Sequence, residues 1–164
     1  FWRVTGESLD YAMEALGLDD PALRAELMQL YLQLEAYPEA KPVLQKLKAA
    51  GKKTAILSNG SVTMLAAGIA AADLRDDLDL VLSIDEVSVF KPSPAVYGRA
   101  TERLGVPASR ICFLSSNAWD AHGAQSFGFH VVWVNRNKLP ADRLPSPPEI
   151  VAGSLHDVPA LLGL

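Results

Sequence analysis

Three short stretches place polar side chains where an apolar run ends and a helical pattern begins. They are Ser58-Asn59-Gly60 after "TAIL", Lys91-Pro92 in "SVFKPSPAVYG", and Ser115-Ser116-Asn117 with Asp120 in "RICFLSSNAWD". In an open α/β sheet, ligands bind outside the carboxyl ends of the strands, so groups at such ends can share one crevice. A serine hydroxyl beside the N–H groups of a helix start suits an anion. A lysine fixed between strand and helix suits negative charge, and a carboxylate in the first turn of a helix is favoured by the macrodipole. Each stretch alone also fits a turn or a helix cap, for which Ser, Asn and Asp are chosen on local grounds. Tyr97, six residues after Lys91, fits core packing equally well. The argument for chemistry is the coincidence: Ser58, Lys91, Ser115, Asn117 and Asp120 all fall at strand carboxyl ends of one expected sheet.

The elements that must position them follow from periodicity. From Tyr37 onward, short continuously apolar runs alternate with helical patterns: "TAILS", "LDLVLSI", "RICFLS", "FHVVWVN" and "EIVAGS" against "PEAKPVLQKLKAAG", "VTMLAAGIAAA", "SPAVYGRATERLG", "AWDAHGAQSFG" and "HDVPALLGL". That alternation predicts a parallel sheet covered by helices on both faces. Residues 1–36 lack strand patterns. They read as two helices, the first with Leu9, Met13 and Leu16 on one face, the second opened by Asp20-Pro21 and striped by Leu23, Leu27, Leu30, Tyr31 and Leu34. The proline-rich stretch 137–149 reads as a loop.

Composition removes other classes. The 164 residues are 49% apolar and 21% charged with net charge −4, a globular balance without the basic patch that nucleic acid requires. No apolar run approaches the roughly 20 residues of a membrane span. A single cysteine, Cys112, rules out a disulfide framework, fits a buried inert thiol and suits the cytoplasm. No glycine-rich nucleotide fingerprint follows any strand. His122, His130 and His156 lack metal-ligand spacing and read as structural or surface residues.

Taken together, "AILSNG", "VFKPSPAVY", "FLSSNAWD" and "GFHVVWVNR" resemble the haloacid dehalogenase superfamily, and within it the L-2-haloacid dehalogenases. The resemblance spans the chain and implies a Rossmann-like core over 37–164 with part of a helical cap over 1–36. It implies hydrolysis of short 2-haloalkanoic acids to 2-hydroxy acids through an aspartyl ester. By resemblance, Ser58 and Asn59 serve the substrate, and Lys91 stabilises the nucleophile and the developing charge. Asp120 and Asn117 serve the hydrolytic water, and Ser115 and Tyr97 orient Lys91. Trp119 and Phe1 line the pocket for the alkyl group and halogen. Phosphatases of the superfamily carry two acids for Mg²⁺ where this chain has Ser115, Ser116 and Asn117. A divalent cation wants several oxygen ligands, so the expected site uses no metal and no cofactor.

One part of the pattern is missing. The superfamily nucleophile is an aspartate ending a first strand, and Asp10, Asp19, Asp20, Asp73, Asp76, Asp77 and Asp79 all lie in helices, caps or turns. Asp85 precedes the lysine loop and does not fit either. The expectation is that the first strand, with its nucleophile, a halide-binding arginine and more of the cap, lies outside this sequence. Residues 1–164 alone are then expected to be poorly soluble and inactive. The other readings are a Mg²⁺-dependent phosphatase of the same superfamily and a non-catalytic α/β binding domain. The expected partner is a small 2-haloacid. A homodimer through the leucine stripe is implied by the resemblance, and packing between cap helices explains that stripe too.

Overall fold

The computed structural model describes residues 1–164. Two helices come first, α1 (Trp2–Ala15) and α2 (Pro21–Leu30). Asp20 caps α2 as its sequence suggests, its carboxylate accepting from the N–H groups of Ala22 and Leu23, with Pro21 in the first turn. Asp10 on α1 pairs with Arg24 on α2. The leucine stripe is shorter than its pattern: α2 stops at Leu30, leaving Leu30, Tyr31 and Leu34 exposed and only Met28 of that helix buried.

From residue 40 the chain alternates: α3 (Ala40–Ala49), β1 (Ala55–Ser58), α4 (Val62–Ala71), β2 (Leu80–Ser83), α5 (Pro94–Leu104), β3 (Cys112–Ser115), α6 (Ala118–Phe127), β4 (His130–Val134), β5 (Ile150–Ala152) and α7 (Val158–Leu161). Gly105 and Gly128 end α5 and α6 in the left-handed conformation, at φ 67° and 105°. That conformation is cheap for glycine alone.

All ladders are parallel, as the alternation predicts, but they form two sheets, β1-β2 and β3-β4-β5. β1 pairs only with β2, and β3 pairs with β4 on one side, so each keeps one ladder edge without a partner. One apolar cluster nevertheless spans both sheets. It joins Leu82 of β2 to Tyr97 of α5, Ala121 and Ala124 of α6, and Phe129, Val131 and Trp133 beside or within β4. The register puts Ser58 opposite Ser83 and Ser115 opposite Trp133, so the polar residues lie at the carboxyl ends. At the junction between the helical pair and the sheets, the Arg136 guanidinium lies 3.7 Å from the Tyr37 ring centroid and pairs with the buried Glu39.

Candidate active site

Asp120 is the centre of the polar cluster. It lies in the first turn of α6, is 4% exposed, and accepts from three side chains, one each from a loop, a helix and a strand. The Lys91 ammonium donates to its Oδ2 at 3.0 Å, the Ser115 hydroxyl to the same oxygen at 2.9 Å, and the Tyr97 hydroxyl to its Oδ1 at 2.8 Å. Lys91 stands on the loop before α5, Tyr97 on α5 and Ser115 at the end of β3. The lysine side chain is only 7% exposed, and its ammonium lies 4.8 Å from the centre of the Phe113 ring. A cation so far from water has a strong field on whatever negative group approaches it.

One further link ties two strand ends together, and a second bond shapes the turn after β1. Asn59 Oδ1 accepts from the Lys91 backbone N–H at 2.9 Å, joining the turn after β1 to the lysine loop. The Ser58 hydroxyl accepts from the N–H of Gly60 at 3.0 Å, which leaves its own proton free to donate. Asn117 is the N-cap position of α6 and is exposed. Its backbone N–H donates to Ser115 Oγ at 3.2 Å, while its side chain makes no cap bond. Trp119 stands 39% exposed on the same turn. Phe1 lies elsewhere, against Phe90 at 6.0 Å between ring centres and in the apolar groove between α1 and α2. The structure thus brings Ser58, Asn59, Lys91, Tyr97, Ser115 and Asp120 together. Asn117 and Trp119 sit on the rim, and Phe1 lies apart on the helical pair. Asp85 serves a different purpose from any nucleophile: its carboxylate accepts from the N–H of Val62 at the start of α4. His122 is buried and bonded to the Pro145 carbonyl, holding the proline-rich loop.

Two contributors escaped the sequence. Gly123 lies inside α6, and a Cβ there would meet Pro92 Cβ and Tyr97 Oη at 2.7 Å. Its signal was visible, since a glycine within a helix costs stability and needs a packing reason. Ser83, 4% exposed at the end of β2, donates to the Gly60 carbonyl at 2.7 Å. Nothing in its local sequence marks that partner, 23 residues away.

Burial holds the Lys91 ammonium below the ordinary lysine range, against the opposing pull of Asp120. Burial, then Asp120, pushes the Tyr97 hydroxyl well above its ordinary range. The two shifts act on stability with opposite signs. Between its folded value and about 10.4, Lys91 binds fewer protons folded than unfolded, so its contribution rises with pH and is lost as pH falls. Tyr97 contributes stability that is complete below about 10 and lost as pH rises further. In urea unfolding, the stability difference between the wild type and Lys91→Met therefore moves in favour of the wild type as pH climbs toward about 10. The difference from Tyr97→Phe moves against the wild type above that point. Flat differences in both comparisons would contradict the burial of this pair.

A parallel α/β sheet with a buried lysine, a carboxylate and a serine turn at its carboxyl ends is the architecture of an anion-handling hydrolase. The chain belongs to the haloacid dehalogenase-like hydrolases, whose family pattern it matches over residues 6–128. Its branch is that of the (S)-2-haloacid dehalogenases. It is 45% identical over 163 residues to (S)-2-haloacid dehalogenase 1 of Pseudomonas sp. (strain CBS-3), covering 99% of this chain and 72% of that protein. The crystal structure of the L-2-haloacid dehalogenase RSc1362 superposes with a TM-score of 0.96 at 38% identity, covering 99% of this chain and 72% of that one. The L-2-haloacid dehalogenase of Xanthobacter autotrophicus with chloropropionic acid covalently bound superposes at 0.89 with 36% identity, covering 99% and 75%. No helix is long and apolar enough to cross a membrane.

Proposed function

We propose that this chain carries the greater part of an enzyme that hydrolyses short L-2-haloalkanoic acids to 2-hydroxy acids of inverted configuration. The observation that supports it best is the desolvated Lys91 ammonium, fixed by Asp120 at the carboxyl ends of the strands. The relatives' names, and the covalently bound chloropropionic acid of one of them, supply the substrate class.

In this reading a carboxylate oxygen attacks C2 of the substrate, and the halide leaves with the bonding electron pair. Water then adds to the carbonyl carbon of the resulting ester while Asp120, with Asn117, orients it and takes its proton. The ester C–O bond breaks, the proton held by Asp120 passes to the departing alkoxide oxygen, the 2-hydroxy acid leaves, and the other water proton goes to solvent as the carboxylate is restored. Only the first step touches C2, so configuration inverts once. Ser58, Asn59 and neighbouring N–H groups hold the substrate carboxylate. Lys91 stabilises the negative charge on the nucleophile and in the transition state. Tyr97 and Ser115 keep Asp120 and Lys91 in register, and Trp119 on the rim serves the apolar end of the substrate.

The nucleophile in this reading is an aspartate on a strand running between β1 and β3, outside residues 1–164. The support is the ladder edge that each of those strands keeps free, together with the absence of another carboxylate bonded to Lys91. Residues 1–36 then belong to the cap and 37–164 to the core, and 1–164 made alone shows no turnover. The exposed Leu30, Tyr31 and Leu34 support contact between cap helices of two copies. The lone half-buried Cys112 suits the cytoplasm.

The test uses the enzyme from its complete reading frame, incubated with L-2-chloropropionate in EDTA. Chloride and a 2-hydroxy acid of opposite configuration are expected in equal amounts. Hydrolysis of a phosphate ester only when Mg²⁺ is added, with no chloride, would move the protein to the phosphatases. Neither activity would favour a binding domain.

A further inference from the structure

The turn from Ser58 to Val62 is held from outside by the carboxyl end of β2. Ser83, directly opposite Ser58 in the parallel register, donates its hydroxyl to the Gly60 carbonyl at 2.7 Å. The same hydroxyl oxygen accepts from the N–H of Asp85 at 3.1 Å. Asp85 in turn accepts from the N–H of Val62 at 3.1 Å. Three consecutive bonds therefore close a ring from β2 across to both sides of the turn. Inside that ring, Ser61 caps α4 by accepting from Met64 N–H, and Gly60 N–H is taken by Ser58 Oγ. The N–H groups of Asn59 and Ser61, next to Ser58 in the turn, have no acceptor within the chain. Gly60 itself is tightly fitted: a Cβ there would meet Leu65 at 3.1 Å and the Ser58 hydroxyl at 3.3 Å.

We propose that Ser83 and Asp85 are positioning residues for substrate binding, holding the Ser58–Val62 turn so that its hydroxyl and free N–H groups converge on a carboxylate. The inference rests on the reading of that turn as the carboxylate site. Ser83 is buried, and neither residue is hydrogen-bonded to Lys91 or Asp120; their effect travels through the turn, whose link to the lysine loop is the bond from the Lys91 backbone N–H to Asn59 Oδ1. Preorganised donors lose little on binding, whereas a loosened turn must be ordered each time a ligand arrives. The defect from removing either residue therefore falls mainly on affinity, because the lysine ammonium that serves the chemical step is held by Asp120 and not by the turn.

The experiment takes the full-length enzyme and its Ser83→Ala, Asp85→Ala and Asp85→Asn variants. It measures kcat and KM for L-2-chloropropionate, and the affinity for propionate, an unreactive carboxylate, by calorimetry. Ser83→Ala and Asp85→Ala are expected to raise KM and weaken propionate by about tenfold, with kcat within about twofold of the wild type. Asp85→Asn keeps an acceptor for Val62 N–H and is expected to restore KM to the wild-type value or below. Unchanged KM in both alanine variants, a loss confined to kcat, or an asparagine variant as poor as the alanine one would each overturn the proposal. Should Ser83→Ala fail to fold, the two Asp85 variants decide it alone. A wild-type enzyme that neither dehalogenates nor binds propionate would instead overturn the reading of the turn as a carboxylate site, a result the variants cannot produce.

Discussion

Asp120→Asn is expected to lower kcat by about 10³-fold and to destabilise the fold by about 3 kcal/mol. The carboxylate accepts from Lys91, Ser115 and Tyr97, and it carries the only negative charge bonded to the buried ammonium. An amide of the same shape has one accepting oxygen and an NH₂ group. With its oxygen toward Lys91 and Ser115, its NH₂ faces the Tyr97 hydroxyl, which must turn from donor to acceptor; turned the other way, its NH₂ faces the ammonium, and in either case Lys91 loses its counter-charge. Removing one partner of a buried pair costs more than the pair is worth, because the other charge stays behind in a poor solvent. Lys91 then sheds its proton more readily still, since Asp120 is what opposes the effect of burial. Both the charge that stabilises the transition state and the group assigned to the water are lost together. In the full-length enzyme, chemical denaturation and steady-state chloride release measure the two effects separately. A variant with wild-type turnover would remove Asp120 from the mechanism, and one with wild-type stability would show that the three donors do not depend on its charge.

Gly123→Val is the second large effect, and it acts by space alone. Even the first carbon of a side chain would stand 2.7 Å from both Pro92 Cβ and Tyr97 Oη. Pro92 follows Lys91 directly, and Tyr97 is bonded to Asp120, so α6 cannot withdraw from the contact without moving the lysine and the tyrosine together. Overpacking of a fitted interior costs about 1–3 kcal/mol, only partly offset by the better helix propensity of a non-glycine residue. A displacement of about 1 Å at positioned groups can cost about 100-fold in rate, and that is the loss expected here. Gly123→Ala is expected to show the same defect to a smaller degree. Adding Tyr97→Phe removes the hydroxyl that the new carbon strikes, so the stability costs of Gly123→Ala and Tyr97→Phe should be less than additive. Additive costs, or a Gly123→Val enzyme of normal rate, would mean that α6 tolerates a shift the geometry forbids.

The contrast between Asp120 and Gly123 shows where local reading stops. Asp120 announced itself, because a carboxylate in the first turn of a helix after an apolar strand is unusual enough to question. Its meaning came from grouping it with Lys91, 29 residues earlier. Gly123 and Ser83 carried weaker signals. A glycine in a helix and a serine at a strand end are common, and their significance lies in what stands opposite. The leucine stripe failed in the other direction: spacing extended the helix past Leu30, but the turn there left those side chains against solvent. Helical periodicity records which residues would share a face if the helix continued, not whether anything covers that face.

By itself the sequence determined the order of strands and helices, the parallel ladders and the polar residues at their carboxyl ends. These follow from short-range rules: apolar runs, caps such as Asp20-Pro21, and glycines that alone adopt the left-handed conformation cheaply. Tertiary structure alone decided that Asp120 takes Lys91, Tyr97 and Ser115, that Ser83 and Asp85 brace the Ser58 turn, and that Gly123 must have no side chain. The free edges of β1 and β3 agree with the expectation, drawn from the missing nucleophile motif, that a central strand lies outside these residues, and only the fold shows which two strands carry them. The physical reason is the same in each case. A hydrogen bond or a close approach is set by the directions of two side chains from separate elements, and no residue encodes the position of its partner.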